Sequence, residues 1–223
     1  MNTIVMNLNS DGWKLEFDDT VIMDGDKAEH IKEAAAVVSQ YCEVIGVRSF
    51  PGLTDREKDY SEEVMIAFAR YATVPLISLE SATLHPLQSL ADMITIRELR
   101  KVKRPKIVMT WAPHPRALPQ AVANSFAQWT LSSGYDLTIT HPKGYELNES
   151  FTHGANIEYD QEEAFQDADF VYVKNWSSYQ DYGKILSTEP NWKISLSKLA
   201  VTNKARVMHC LPVRRNVVID LSL

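Results

Sequence analysis

The chain has 223 residues, 45% of them hydrophobic, and a net charge of -6, enough to bury one large or two small cores. No apolar run approaches the roughly 20 residues of a membrane-spanning helix, and residues 1–6 lack the order of a signal peptide, so the cytoplasm is the expected location. The acidic balance disfavours nonspecific nucleic-acid binding, and Cys42 and Cys210, each in an apolar run, are read as reduced thiols.

Taken in order, residues 3–8 form a β-rich run and are expected to be a strand. A sheet chain that opens directly in a strand is expected to lack its own beginning. Asn9-Ser10-Asp11-Gly12 has turn chemistry, residues 13–21 read as a surface loop, and Asp26 is the expected cap of a helix running to about Tyr41. Residues 43–47 read as a buried strand ending in Arg48. Asp59 or Ser61 is then expected to cap an amphipathic helix with Val64, Met65, Phe68 and Tyr71 on one face. Residues 74–79 are the next strand, running into Glu80 and, after a short loop, His85-Pro86-Leu87-Gln88. A helix carrying Leu90, Met93, Ile94 and Leu99 follows, to about Val102. Strands alternating with helices argue for a parallel sheet covered by helices.

The basic, proline-terminated stretch Lys101-Val102-Lys103-Arg104-Pro105 is the expected boundary between two halves, 1–103 and 104–223. Beyond it, residues 106–111 read as a strand, 112–119 as a stiff proline-rich loop and 120–132 as a helix stopped by Gly134. Strands follow at 135–140 and 157–159, then a helix at 161–168 and a strand at 170–173 leading into Lys174. The poorly patterned stretch 177–202 precedes a last strand, 205–208, which opens onto His209-Cys210-Leu211-Pro212-Val213-Arg214-Arg215-Asn216.

Polar residues therefore gather at the C-terminal ends of the expected strands: Arg48, Glu80 with His85 and Gln88, residues 111–116, Lys174, and residues 210–214. In a doubly wound sheet those ends line one crevice. Singly, each has an ordinary reading: Arg48 as a surface charge, His85 as a helix start before Pro86, Lys174 as a solvated strand end, Trp13 as a packing residue, Cys210 as an inert core thiol. Their shared placement favours a small, planar, anionic ligand. Arg48 and Arg214 suit forked bonds to phosphate or carboxylate, His85 suits a carbonyl, and Gln88 an adjacent amide. Neighbouring His209 and Cys210 on a strand point to opposite faces and suit zinc poorly. No Gly-x-Ser-x-Gly elbow or Gly-x-Gly-x-x-Gly fingerprint is present.

His85-Pro86-Leu87-Gln88 resembles the His-Pro-x-Gln carbamoyl-phosphate motif of transcarbamylases, and His209-Cys210-Leu211-Pro212 resembles the His-Cys-Leu-Pro motif of the ornithine branch. Gly12-Trp13-Lys14-Leu15-Glu16, the proline-rich loop after Trp111 and the segment Pro212 to Asn216 resemble the N-acetylornithine and N-succinylornithine carbamoyltransferases. The resemblance implies an α/β fold of two doubly wound parallel-sheet domains, each incomplete: a carbamoyl-phosphate domain over 1–103, with a linker helix at about 85–102, and an amino-acid domain over 104–223. It implies no cofactor and no metal, a homotrimer with sites shared between subunits, neither nucleic acid nor membrane as partner, and a place in arginine biosynthesis.

Carried over by position, Arg48, His85 and Gln88 would contact carbamoyl phosphate, with Trp13 reaching a neighbouring subunit's site. Cys210 and Leu211 would offer backbone groups to the carbamoyl nitrogen, and Arg214 would complete the clamp; Arg48, His85 and Arg214 would be the catalytic set. Glu80 and Lys174 would bind the acylated amino acid. The resemblance places Ala28 where acetyl-specific enzymes carry Glu and succinyl-specific ones Pro. The missing glutamate, together with Arg116 as a partner for a carboxylate, leans toward N-succinylornithine. Lys174-Asn175-Trp176-Ser177-Ser178 stands where ornithine enzymes carry a Ser-Met-Gly segment, which disfavours free ornithine. The family's Ser-x-Arg-Thr-Arg phosphate loop and closing C-terminal helix have no counterpart in these 223 residues. The expectation is of a truncated chain, inactive alone; a non-catalytic binding or assembly subunit of the same fold is the alternative.

Overall fold

A computed structural model describes residues 2–7 and 14–220. Its centre is one parallel sheet built from β5 (Lys106–Trp111), β6 (Asp136–Thr140), β7 (Asn156–Glu158), β8 (Phe170–Lys174) and β9 (Arg206–Met208), in the spatial order β7-β6-β5-β8-β9. β5 (KIVMTW) and β8 (FVYVK) are near-continuous apolar runs because both sheet faces are covered. Ile107, Met109, Trp111 and Tyr172 face one side, packed with Met93 and Ile96 of α4 (Pro86–Leu99) and Phe126 of α5 (Ala121–Ser132). Val108, Val171 and Val173 face the other, against Ala164 and Phe165 of the short helix Gln161–Phe165 and Ile194. The period of two puts Lys174, which pairs in register with Trp111, on the α4 side. The strand order reverses between β5 and β8, the switch point where open α/β sheets form their crevice.

The first half carries two parallel pairs: β1 (Leu15–Glu16) with β2 (Glu29–His30), and β3 (Ile45–Arg48) with β4 (Leu76–Glu80). Helices α1 (Ile31–Val38) and α3 (Glu63–Tyr71) cover them, burying Leu15, Ile31, Ile45, Val47 and Phe68 together. A one-residue slip in the β3–β4 register, which skips Leu79, brings Arg48 opposite Glu80.

Several local expectations change. Residues 2–7 are exposed and hold no strand, because β propensity becomes a strand only beside a neighbour that takes up the ladder bonds. The turn at 9–12 and Trp13 lie outside the described residues. The loop expected at 13–21 contains β1, with Leu15 buried. Asp26 pairs with the Lys14 ammonium (2.6 Å), and His30 caps α1 by accepting the Lys32 amide (3.1 Å). Asp59 accepts the Gly52 and Leu53 amides instead of capping α3, and Ser61 Oγ donates back to the Lys58 carbonyl. A short helix not foreseen, α2 (Arg56–Tyr60), is capped by Asp55. Among the described residues no helix is long and apolar enough to cross a membrane.

Candidate active site

The site begins with the Arg48 and Glu80 side chains at the ends of β3 and β4. Arg48 donates from Nε (3.0 Å) and Nη2 (2.7 Å) to Glu80 Oε2, and its guanidinium lies 4.7 Å from the Phe50 ring centre. Glu80 is buried, whereas the Arg48 side chain is 56% exposed. One edge of the guanidinium is thus pinned while the other faces solvent.

His85 stands 3.7 Å from the same Glu80 oxygen through Nε2. It caps α4, with Nδ1 accepting the Gln88 amide (3.3 Å) and Pro86 opening the helix. An accepting Nδ1 places the proton of the neutral ring on Nε2. Burial pushes the imidazole pKa down, Glu80 raises it, and the positive charges of Arg48 and Lys174 lower it further. His85 is therefore a neutral N–H donor at pH 7, suited to polarising a carbonyl oxygen.

The second half contributes from three loops. Arg214 Nε donates to His114 Nε2 (3.0 Å). On its other side His114 Nδ1 meets Arg116, whose amide donates to it at 3.1 Å and whose carbonyl oxygen lies 2.9 Å away. Burial lowers the His114 pKa, and the nearby Arg214, Lys174 and Arg116 charges act the same way. His209, whose Nδ1 contacts the Cys210 carbonyl, is driven down to about 4 chiefly by burial, with the Lys174 and His114 charges adding to it. Lys174 thus acts electrostatically on His85, His114 and His209 together. It is 9% exposed, and no carboxylate among the described residues lies within 4.0 Å of its ammonium.

Buried hydrogen bonds hold these groups at the seam between the halves. Glu62 Oε1 accepts from Ser81 Oγ (2.7 Å) and the Thr83 amide (2.7 Å), gripping the loop that leads to His85. From α5, Asn124 Nδ2 donates to the Thr83 carbonyl (3.2 Å) and Ser125 Oγ accepts the His85 amide (3.0 Å). The segment after Lys174 is pinned by Asn175 Nδ2 to the Ala112 carbonyl (2.7 Å), Trp111 Nε1 to the Trp176 carbonyl (2.9 Å) and Gln120 Nε2 to the Ser177 carbonyl (2.8 Å).

Beneath His85, Gln88 Nε2 donates to Asp92 Oδ1 (3.0 Å). Asp92 is buried, and its Oδ2 and the Tyr172 hydroxyl, though within electrostatic reach, complete no well-formed hydrogen bond. Burial pushes the Asp92 carboxyl from 3.8 up to about 6. A carboxyl that binds its proton more tightly folded than unfolded makes the fold lose stability as pH rises from about 4 to about 6, and the cost is complete above that window. At about 1.4 kcal/mol per unit, Asp92→Asn is expected to gain roughly 1–3 kcal/mol at pH 7.5, with the difference vanishing near pH 4. Urea unfolding at the two pH values checks this; a loss of stability at both contradicts it.

Of the expected site residues, Arg48, Glu80, His85 and Gln88 come together on one side of the seam and Lys174, Cys210 and Arg214 on the other. Leu211 is exposed beyond a cis bond to Pro212. Arg116 is exposed and meets the group through its backbone, and Ala28 is exposed between β1 and β2, its amide donating to the Lys14 carbonyl. His114, Asp92, Tyr172 and Glu62 were not singled out from sequence. Only the position of Asp92, one helical turn beyond Gln88, offered a signal. Among the described residues no cluster of three or more His, Cys, Asp or Glu is spaced to hold a metal ion.

Two family models match the chain: the carbamoyl-P binding domain of aspartate/ornithine carbamoyltransferase over residues 5–98, and its Asp/Orn binding domain over residues 119–222. The N-succinylornithine carbamoyltransferase of Bacteroides fragilis is 55% identical over 221 residues, 98% of this chain and 70% of that protein. The N-acetylornithine carbamoyltransferase of Xanthomonas campestris pv. campestris is 35% identical, covering 97% of this chain and 70% of that protein. A crystal structure of a lysine-to-alanine mutant of N-acetyl-L-ornithine transcarbamylase complexed with PALAO superposes with a TM-score of 0.90 at 34% identity, over 98% of this chain and 72% of the other. A glutamate-to-alanine mutant of that kind of enzyme, complexed with carbamyl phosphate and N-succinyl-L-norvaline, gives 0.87 at 35% identity, over 96% of this chain and 70% of the other.

Proposed function

The chain belongs to the aspartate/ornithine carbamoyltransferase family, and from that premise we propose that its site transfers the carbamoyl group of carbamoyl phosphate to the δ-amine of an N-acylated ornithine, N-succinylornithine before N-acetylornithine. The observation that carries this reading is Lys174: a buried ammonium without a carboxylate partner within 4.0 Å among the described residues, in electrostatic reach of His85 from one half and of His114 and His209 from the other. A buried cation at a site entrance calls for an anionic partner, and the α-carboxylate of an acylated amino acid supplies one.

In this reading, residues 1–103 hold carbamoyl phosphate and residues 104–223 the acylornithine. Arg48, through its free edge, and Arg214 take the phosphate oxygens. His85 Nε2–H and Arg48 meet the carbamoyl oxygen, and Gln88 with the Cys210 and Leu211 backbone meets the carbamoyl nitrogen. Glu80 fixes Arg48 and lies beside the incoming amine. The neutral δ-amine attacks the carbamoyl carbon; a C–N bond forms, charge collects on the carbamoyl oxygen, and the C–O bond to phosphate then breaks, with the amine proton leaving on phosphate. The donors aimed at the developing oxyanion lower the barrier, and holding two substrates in register supplies much of the rest. No side-chain nucleophile takes part.

Succinyl preference is supported by Ala28, a position that the resemblance fills with glutamate in acetyl-specific enzymes, and by the N-succinyl ligand in the solved glutamate-to-alanine mutant. Removing a carboxylate removes repulsion toward the succinyl carboxylate. Trp13 and Ala28 would act in a neighbouring subunit's site of a cytoplasmic homotrimer.

Lys174→Met tests the assignment. The KM for N-succinylornithine is expected to rise about 10–100-fold, the worth of one charged hydrogen bond, while the KM for carbamoyl phosphate stays within about threefold. An unchanged acylornithine KM contradicts it.

A further inference from the structure

Asp92 is an expensive residue in its place: 6% exposed, with one oxygen bonded only to Gln88 Nε2 and the other without a hydrogen-bond partner. No cation among the described residues lies within 4.0 Å of it. The groups facing it are Gln88 from its own helix, Tyr172 from β8 and, behind Tyr172, the Cys210 thiol. A bland packing role would be served better by an apolar side chain.

An ionised carboxylate only accepts hydrogen bonds. It therefore captures the NH₂ end of the Gln88 amide and fixes which way that amide lies. The other end, Oε1, accepts no hydrogen bond from a described residue and is not buried.

We propose that Asp92 is a positioning residue that locks the Gln88 amide with its carbonyl oxygen facing the site, so that Gln88 selects a small acyl phosphate bearing an NH₂ donor over one bearing a methyl group. The inference deepens the carbamoyl-phosphate reading and rests on it. With a carboxylate at 92, Gln88 presents only an acceptor. With an amide at 92, Gln88 can turn over and present a donor, and the distinction between NH₂ and CH₃ fades. Tyr172 lies within electrostatic reach of both Asp92 and the Cys210 thiol, and the Cys210 loop adds its backbone acceptors from the second half of the chain.

Carbamoyl phosphate and acetyl phosphate differ in that one substituent, and calorimetric titration of the intact protein with each at millimolar concentration reads the device directly. The unsubstituted protein is expected to bind carbamoyl phosphate at least about tenfold more tightly. In Asp92→Asn that ratio is expected to fall about fivefold or more, with acetyl phosphate affinity unchanged. Gln88→Ala should show the same fall, and adding Asp92→Asn to it should do nothing more. A ratio that survives Asp92→Asn, or affinities for both ligands that drop equally, overturns the inference and leaves the carbamoyl-phosphate reading standing. If the unsubstituted protein binds neither ligand, or both equally, the reading itself falls. A second readout needs no variant: the Gln88 side-chain NH₂ resonances should shift with a midpoint near the Asp92 value of about 6. Resonances that stay still from pH 4.5 to 7.5 overturn the locking role.

Discussion

Replacing Arg48 by alanine is expected to cut kcat/KM for carbamoyl phosphate by about 10²–10³-fold, the usual effect of removing a donor aimed at developing charge. The free edge of the guanidinium is lost to phosphate and to the carbamoyl oxygen alike. The Glu80 carboxylate is also left 8% exposed, with only the neutral His85 Nε2–H beside it. Removing one partner of such a pair leaves an uncompensated buried charge, so His85 should titrate higher in the variant as the Arg48 charge that depresses it disappears. Arg48→Lys keeps a positive charge but loses the fork that contacts Glu80 through Nε and Nη2, and is expected to recover only part of the loss. Steady-state kinetics of the two variants, with NMR titration of His85, checks the account. A loss under about threefold for Arg48→Ala would place the phosphate elsewhere.

The largest expected effect on stability is that of Trp111→Ala. Trp111 is 1% exposed, lies 4.6 Å from the Tyr145 ring centre and 6.2 Å from that of Trp192, and its indole N–H donates to the Trp176 carbonyl at 2.9 Å. Truncating a buried aromatic costs about 3–5 kcal/mol, and an orphaned carbonyl adds roughly 1 more. Because Trp111 pairs in register with Lys174, the collapse falls under the site. Urea unfolding should show most of the stability gone, whereas Trp111→Phe should lose little beyond the hydrogen bond. A cost below about 2 kcal/mol for the alanine variant would mean that the core beneath Lys174 is not held by this ring.

Much of this was legible in sequence where the signal was local and strong. The continuous apolar runs at 106–111 and 170–173, bounded by proline and polar residues, became β5 and β8. His85-Pro86 opened α4, because the imidazole and the proline both suit a first turn. The loop that follows Arg48 gave no such local cue: Asp59 offered a sound cap, and its carboxylate went to the amides of Gly52 and Leu53, a contest settled by how the loop folds back. Residues 3–8 had the composition of a strand, but composition does not supply the neighbouring ladder. Asp92 and Tyr172 were unreadable as functional residues for a related reason. One reads as a polar position on an amphipathic helix and the other as strand core, and only the packing of α4 on β8 brings them together. His114, one residue of a proline-rich loop, gained its meaning from Arg214, 100 positions away.

Competition among acceptors reads the substrate preference of the site in one experiment. The protein is incubated at length with millimolar carbamoyl phosphate and equal concentrations of N-succinylornithine, N-acetylornithine and ornithine, and the carbamoylated products are identified by mass spectrometry. The account predicts N-succinylcitrulline in excess, N-acetylcitrulline second and no citrulline. Citrulline as the leading product, or no carbamoylated product at all, would contradict it.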